Sequence, residues 1–138
     1  MAINYKVSKC KNPSGVEGTD YYSCKASKTG DYTFDDLAED INNSTTVTHA
    51  DCLAVLKAMK PFLTKALLSG RTVVLQDIGR FSVSIQSKCF TQTDMQEEDF
   101  LPSSKIKGHR ILFRPEVKLK SDVKAGITLK RISSEAMK

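Results

Sequence analysis

The chain has 138 residues, a formal charge of +5 and a pI near 9.0, enough for one domain with or without an extension. A basic balance of this size favours solubility and attraction to polyanions, and says nothing about fold. No apolar run approaches the roughly 18 residues of a membrane span, and the opening MAINYKVSK lacks the apolar stretch of a signal peptide. Cytoplasmic placement with no membrane partner is the expectation.

The cysteines Cys10, Cys24, Cys52 and Cys89 form no C-x-x-C pair, and His49 and His109 are equally scattered. Metal ligands usually come in close pairs, so no metal is expected, and no cofactor or small-molecule substrate either. The two histidines belong to no nucleophile or carboxylate constellation, so an enzyme is not expected. Cys10 and Cys24 could face each other across a hairpin, as thiols in a reducing compartment. Cys52 lies in a helical pattern and reads as a small buried apolar group.

Ile3, Tyr5 and Val7 alternate with polar residues over 3–9, the period of a half-buried strand. KNPSGVEGT, 11–19, is a loop, and 21–27 alternates again through Tyr22, Cys24 and Ala26. A lone hairpin of this kind must pack on something larger. TFDDLAEDI, 33–41, predicts a helix with Thr33 as N-cap and Asp36 at N3, ended by Asn42-Asn43-Ser44. A second helix opens at Thr48 and runs to Ser69, with Gly70 as its left-handed C′ residue. Leu53, Leu56, Met59, Leu63 and Leu67 form its apolar stripe, and Pro61 predicts a kink or a split near Lys60.

VVLQDIGRFSVSI, 73–85, predicts two short strands joined by a glycine corner at Gly79. Residues 88–104 are polar and acidic and read as an exposed loop or a hairpin arm. RILF, 110–113, predicts a strand, Pro115 a first helical residue, and 115–126 a short helix closed by Gly126. For ITLKRISSEAMK, 127–138, a further strand and an unpaired tail both stay open. Charge is uneven: residues 33–51 hold five carboxylates and no Lys or Arg, whereas the basic residues concentrate beyond 105.

The ordered set of SGRTVVLQDIGRFSVSI, FRPEVKLKSDV and the helical stretch TFDDLAEDINNSTTVTHADCLAVLKAMKPFLTKALLSG resembles the HU/IHF family of histone-like DNA-binding proteins. The likeness covers roughly 33–124. It implies an α+β fold: a helical pair, an antiparallel β-sheet with an arm, a short C-terminal helix, and an intertwined dimer. The division it suggests is 1–32 as an N-terminal hairpin extension, 33–126 as the HU-like domain with an arm at about 86–108, and 127–138 as a tail. It further implies a homodimer with Leu56, Phe62, Ile78, Phe81 and Phe113 in the shared core. Its strand-rich arms would embrace the minor groove of double-stranded DNA.

Phosphate contact is then expected from Arg71, Arg80, Lys88, Lys105, Lys107, Arg110, Arg114, Lys118 and Lys120, independent of base sequence and steeply salt-dependent. For Arg71 and Arg80, solvated surface is the competing reading. The arm departs from the family pattern. It has no Arg-Asn-Pro tip to wedge between base steps, and it carries Asp94, Glu97, Glu98 and Asp99. Pro102 reads as part of the returning strand. Two functions therefore compete: a nucleoid-type DNA-coating dimer, with bending left open, and an interaction module built on the same fold.

Overall fold

The computed structural model describes residues 1–15 and 17–133. Its elements, in chain order, are β1 (Ile3–Cys10), β2 (Tyr21–Ala26), α1 (Phe34–Ser44), α2 (His49–Leu68), β3 (Val73–Leu75), β4 (Gly79–Ser87), α3 (Gln92–Met95), a 3-10 turn (Pro102–Lys105), β5 (Ile106–Pro115), α4 (Val117–Gly126) and β6 (Leu129–Arg131). They form an α+β fold with two three-stranded sheets, ordered β2–β1–β6 and β3–β4–β5.

Both long helices start where side chains satisfy their orphan N–H groups. The Asp36 amide donates to Thr33 Oγ1 at 3.3 Å, while Asp36 Oδ2 accepts from the Thr33 amide at 2.7 Å. This holds the Asp36 carboxyl below the ordinary carboxylate range, through the Thr33 hydroxyl first and its amide second. At α2 the Asp51 amide donates to Thr48 Oγ1 at 3.2 Å. Gly70 ends α2 with a φ of +76°, and Arg71 N donates back to Ala66 O at 3.1 Å.

Several expectations need correcting. The first helix continues through Asn42 and Asn43 to Ser44, where side-chain hydroxyls of Ser44 and Thr45 bond the carbonyls of Asp40 and Ile41. The second does not split: it is one helix through Pro61, since one missing N–H does not outweigh the surrounding turns. Cys10 pairs with Tyr21 and Cys24 with Val7, so the two thiols do not meet; all four cysteines are free, and Cys52 is buried as expected. Pro115 ends β5 rather than opening α4, paired with Gly79 where its missing N–H is tolerated at a strand end. Glu116 is the N-cap of α4. The tail adds a strand, since β6 pairs parallel to β1 in the register Ile3↔Leu129 and Tyr5↔Arg131.

The glycine corner is also not what it looked like. The left-handed residue of the β3–β4 turn is Asp77, with φ +62°, a conformation that Asp tolerates. Gly79 already lies in β4. It is needed because a Cβ there would stand 2.6 Å from the Phe113 ring and 2.7 Å from the Arg114 carbonyl oxygen.

The core of the single chain is thin. Among the described residues only Ala38, Cys52 and Leu67 are buried apolar groups. The accessible surface is 12097 Å² for a mass of 15.3 kDa. A compact monomer of that mass exposes about 7,100 Å². Much of the excess is apolar: a groove of about 450 Å³ between α2 and β3 is lined by Val55, Ala58, Met59, Phe62, Leu63, Ala66, Val73 and Leu75, and Phe62 is 72% exposed.

Candidate nucleic-acid interface

The β4–β5 ribbon sorts its side chains by the pleat. Register pairs Phe81 with Phe113, Val83 with Ile111 and Ile85 with His109, while Val73 and Leu75 of β3 oppose Phe81 and Gly79. Directly paired residues share a face, so this face is apolar, with the Phe81 and Phe113 rings 4.8 Å apart. It turns toward α2, because Val73 and Leu75 line the α2 groove.

The alternate residues make the opposite face. Arg80 stands across from Arg114, Ser84 across from Arg110, and Ser82 across from Leu112. Three guanidinium groups thus lie on the side of the ribbon away from α2. From Arg114 to Arg110 the strand advances about 14 Å, close to four nucleotide steps of one DNA strand. The Gln86 amide, with its oxygen toward Arg110, accepts from Nε and Nη2 at 2.7 Å each and fixes that guanidinium. Arg80 Nη2 donates to Glu116 Oε1 at 3.1 Å, so one of the three already has an anionic neighbour.

The other candidate residues are not all brought to this face. Lys118 faces Asp77 at 3.7 Å, and Lys120 lies on the same helix, α4. Arg71 sits between α2 and β3. Lys107 is the extra residue where the register shifts, since Gln86 pairs with Gly108 but Ser87 with Ile106. Lys88 and Lys105 close the ribbon, Lys88 N donating to Lys105 O at 2.9 Å. Of the residues expected in a shared core, Leu56 and Phe81 are half-buried within the chain, whereas Phe62, Ile78 and Phe113 are exposed.

Beyond Ser87 and Ile106 the expected strand-rich arm gives way to a small folded tip. It holds α3, the 3-10 turn and no strand among the described residues, and Pro102 opens the 3-10 turn rather than extending a returning strand. Thr91 and Asp94 cap α3 reciprocally, which favours a helical turn over an extended ribbon here. The Phe90 and Phe100 rings lie 5.2 Å apart, with Lys105 Nζ 5.7 Å above Phe100. The Asp94 carboxyl is held below its ordinary range by the Thr91 amide first and the Thr91 hydroxyl second, with a further contribution from Lys105. The tip also carries Glu97, Glu98 and Asp99.

Sequence reasoning missed Gln86 as the group that orients Arg110 and Glu116 as the counter-charge of Arg80. The alternation in GRFSVSIQS was the available signal for the first; the second needed the β4–β5 register. Among the described residues no group of three or more His, Cys, Asp or Glu side chains could hold a metal ion, and no helix is long and apolar enough to cross a membrane.

The model of the HU-HIG family, an HU domain fused to a wHTH, Ig or glycine-rich motif, matches residues 1–131. Among solved structures, a candidate bacterial DNA-binding protein from Bacteroides vulgatus ATCC 8482 is similar at 9% identity with a TM-score of 0.58, covering 99% of this chain. The present chain spans 51% of that protein's length. An Anabaena HU–DNA cocrystal structure is similar at 20% identity with a TM-score of 0.48, over 66% of this chain and 96% of that one. No curated protein matches.

Proposed function

We propose that this chain, which belongs to the HU-HIG family, binds double-stranded DNA as a homodimer in the nucleoid. The binding is independent of base sequence and acts mainly through phosphates. The observation that carries this reading is the register of β4 and β5, which puts Arg80, Arg110 and Arg114 on one open face of the sheet. Guanidinium groups so spaced suit phosphates about four nucleotide steps apart, a contact that carries no base sequence. Lys118, Lys120, Lys105, Lys107, Lys88 and Arg71 flank this face as further, weaker contacts.

What supports the homodimer is the exposed apolar surface. The α2 groove and the exposed Val83, Ile85 and Ile111 leave the chain short of a core. A second copy laid on them would bury an area of the kind obligate dimers bury. Leu56, Phe62, Ile78, Phe81 and Phe113 are the residues such an interface would use. A wedge-driven kink is not part of the proposal, since the tip has no Arg-Asn-Pro wedge and sets Asp94, Glu97, Glu98 and Asp99 beside its exposed Met95 and Leu101. Smooth bending over the sheet remains compatible with it.

The acidic tip favours a second reading, an interaction module on the same fold. Fluorescence anisotropy with a labelled random-sequence duplex at roughly 50 and 200 mM salt separates the two. DNA binding predicts affinity that falls by orders of magnitude at the higher salt, and a further loss in Arg110→Ala/Arg114→Ala. No binding at the lower salt leaves the interaction module.

A further inference from the structure

One face of the sheet β2–β1–β6 gathers lysines from all three strands. Along β1, Ile3, Tyr5 and Val7 occupy one side and Asn4, Lys6 and Ser8 the other. Register places Lys25 directly opposite Lys6, and Lys130 opposite Asn4, one pleat repeat from Lys6. Three exposed ammonium groups from three different strands therefore share one face. Side chains so opposed have their Cβ atoms about 5 Å apart, and like charges there destabilise a sheet.

Among the described residues no carboxylate on that face offsets the repulsion. Its remaining strand residues, Asn4, Ser8, Cys10, Tyr21 and Ser23, include no carboxylate. Among the described residues Lys6, Lys25 and Lys130 form no ion pair; the ion pair of this sheet, Lys9–Asp20 at 2.6 Å, uses a lysine of the other face. A cleft of about 640 Å³ between this sheet and α4 is lined by Ile3, Asn4, Ala26, Val123 and Ile127, and by none of the three lysines. On the lysine face the three lysines are exposed, whereas Asn4, Ser8, Cys10, Tyr21 and Ser23 between them are half-buried.

We infer that the face of Lys6, Lys25 and Lys130 is a second phosphate-binding surface, which extends the contact of the same duplex that crosses Arg80, Arg110 and Arg114. The inference rests on the DNA-binding reading above. An unpartnered cluster of one sign fits a polyanion, and bound phosphates would turn its internal repulsion into attraction. The chain also links the two patches closely. Between Arg114 at the end of β5 and Lys130 in β6 lies α4, ten residues and so about 15 Å long.

The test is the salt dependence of duplex binding by the full chain, with Lys6→Gln/Lys25→Gln/Lys130→Gln set against a charge-matched control, Lys57→Gln/Lys60→Gln/Lys65→Gln on α2. Three lost phosphate contacts should reduce the slope of log K against log salt by about 2.7 per copy. The control should leave the slope within error, and without DNA the lysine variant should melt no lower than the wild type. If the triple variant fails to fold, Lys25→Gln alone should cost about 0.9. Wild-type binding with an unchanged slope in the lysine variant, or an equal loss in the control, overturns this inference and leaves the arginine face standing. A wild type that does not bind at low salt overturns both.

Discussion

Gly79→Ala is the substitution that most directly probes how the ribbon is held together. The new Cβ would stand 2.6 Å from two ring carbons of Phe113 and 2.7 Å from the Arg114 carbonyl oxygen. Ordinary contact lies about 1 Å further out. Phe113 is half exposed and its ring can rotate, but the Arg114 carbonyl belongs to the β4–β5 ladder and can move only with the strand. Overpacking of this kind costs about 1–3 kcal/mol. Because Gly79 lies outside the left-handed region, alanine also restricts the unfolded chain, which returns about 0.4–1 kcal/mol. The net is a loss of about 1–2 kcal/mol, or a Tm lowered by about 3–7 °C for a chain of this length. Thermal denaturation followed by circular dichroism at fixed protein concentration measures it. Adding Phe113→Ala should rescue nothing, since the backbone clash remains and the aromatic pair is lost. An unchanged or raised Tm in Gly79→Ala would show that the ribbon does not need this close approach.

Three further outcomes are expected. Glu116→Gln removes the carboxylate beside Arg80, so duplex binding should tighten and its salt slope steepen by about 0.9 per copy, with little change in Tm for an exposed pair; looser binding would contradict the role given to Arg80. The wild type should sediment at twice 15.3 kDa, and Phe62→Glu, which sets a charge in the α2 groove, should abolish that species; a folded wild-type monomer would remove the case for a shared core. The Asp36 carboxyl is depressed in the folded state, so its contribution is present above the ordinary carboxylate range and lost as pH falls through the lowered value. A plot of Tm against pH should therefore lose part of its acid limb in Asp36→Asn, and an identical limb would argue against the capping box.

Local chemistry made much of this molecule readable from its residues. Thr33 with Asp36, Thr48 with Asp51, and Gly70 mark helix ends because each satisfies backbone groups within a few residues of itself. The features that escaped reading depend on distant partners. β5 reads as the four residues RILF because Leu112 interrupts the alternation of His109, Ile111 and Phe113 with Arg110 and Arg114; only pairing with β4 shows all ten residues extended. The need for glycine at 79 arises from a ring and a carbonyl more than thirty residues away, whereas a turn glycine would have been a local matter. The arginine face was legible as charge but not as a face, since β4 and β5 acquire a common side only once register is known. The tip misled because acidic, aperiodic sequence is compatible with both a loop and a capped turn.

The parallel pairing of β6 with β1 has a consequence for how the chain is made. Ile3 waits for Leu129, with Ile3 N donating to Thr128 O at 2.8 Å and Ile132 N to Tyr5 O at 3.0 Å. During synthesis β1 and β2 can form their hairpin early, but the third strand emerges more than a hundred residues later, several seconds at ordinary elongation rates of about 5–20 residues per second. Until then one edge of β1 presents unpaired backbone groups to any neighbouring extended chain. A chain lacking Leu129–Arg131 would keep that edge of β1 open as a template for pairing with another extended segment, which β6 otherwise covers.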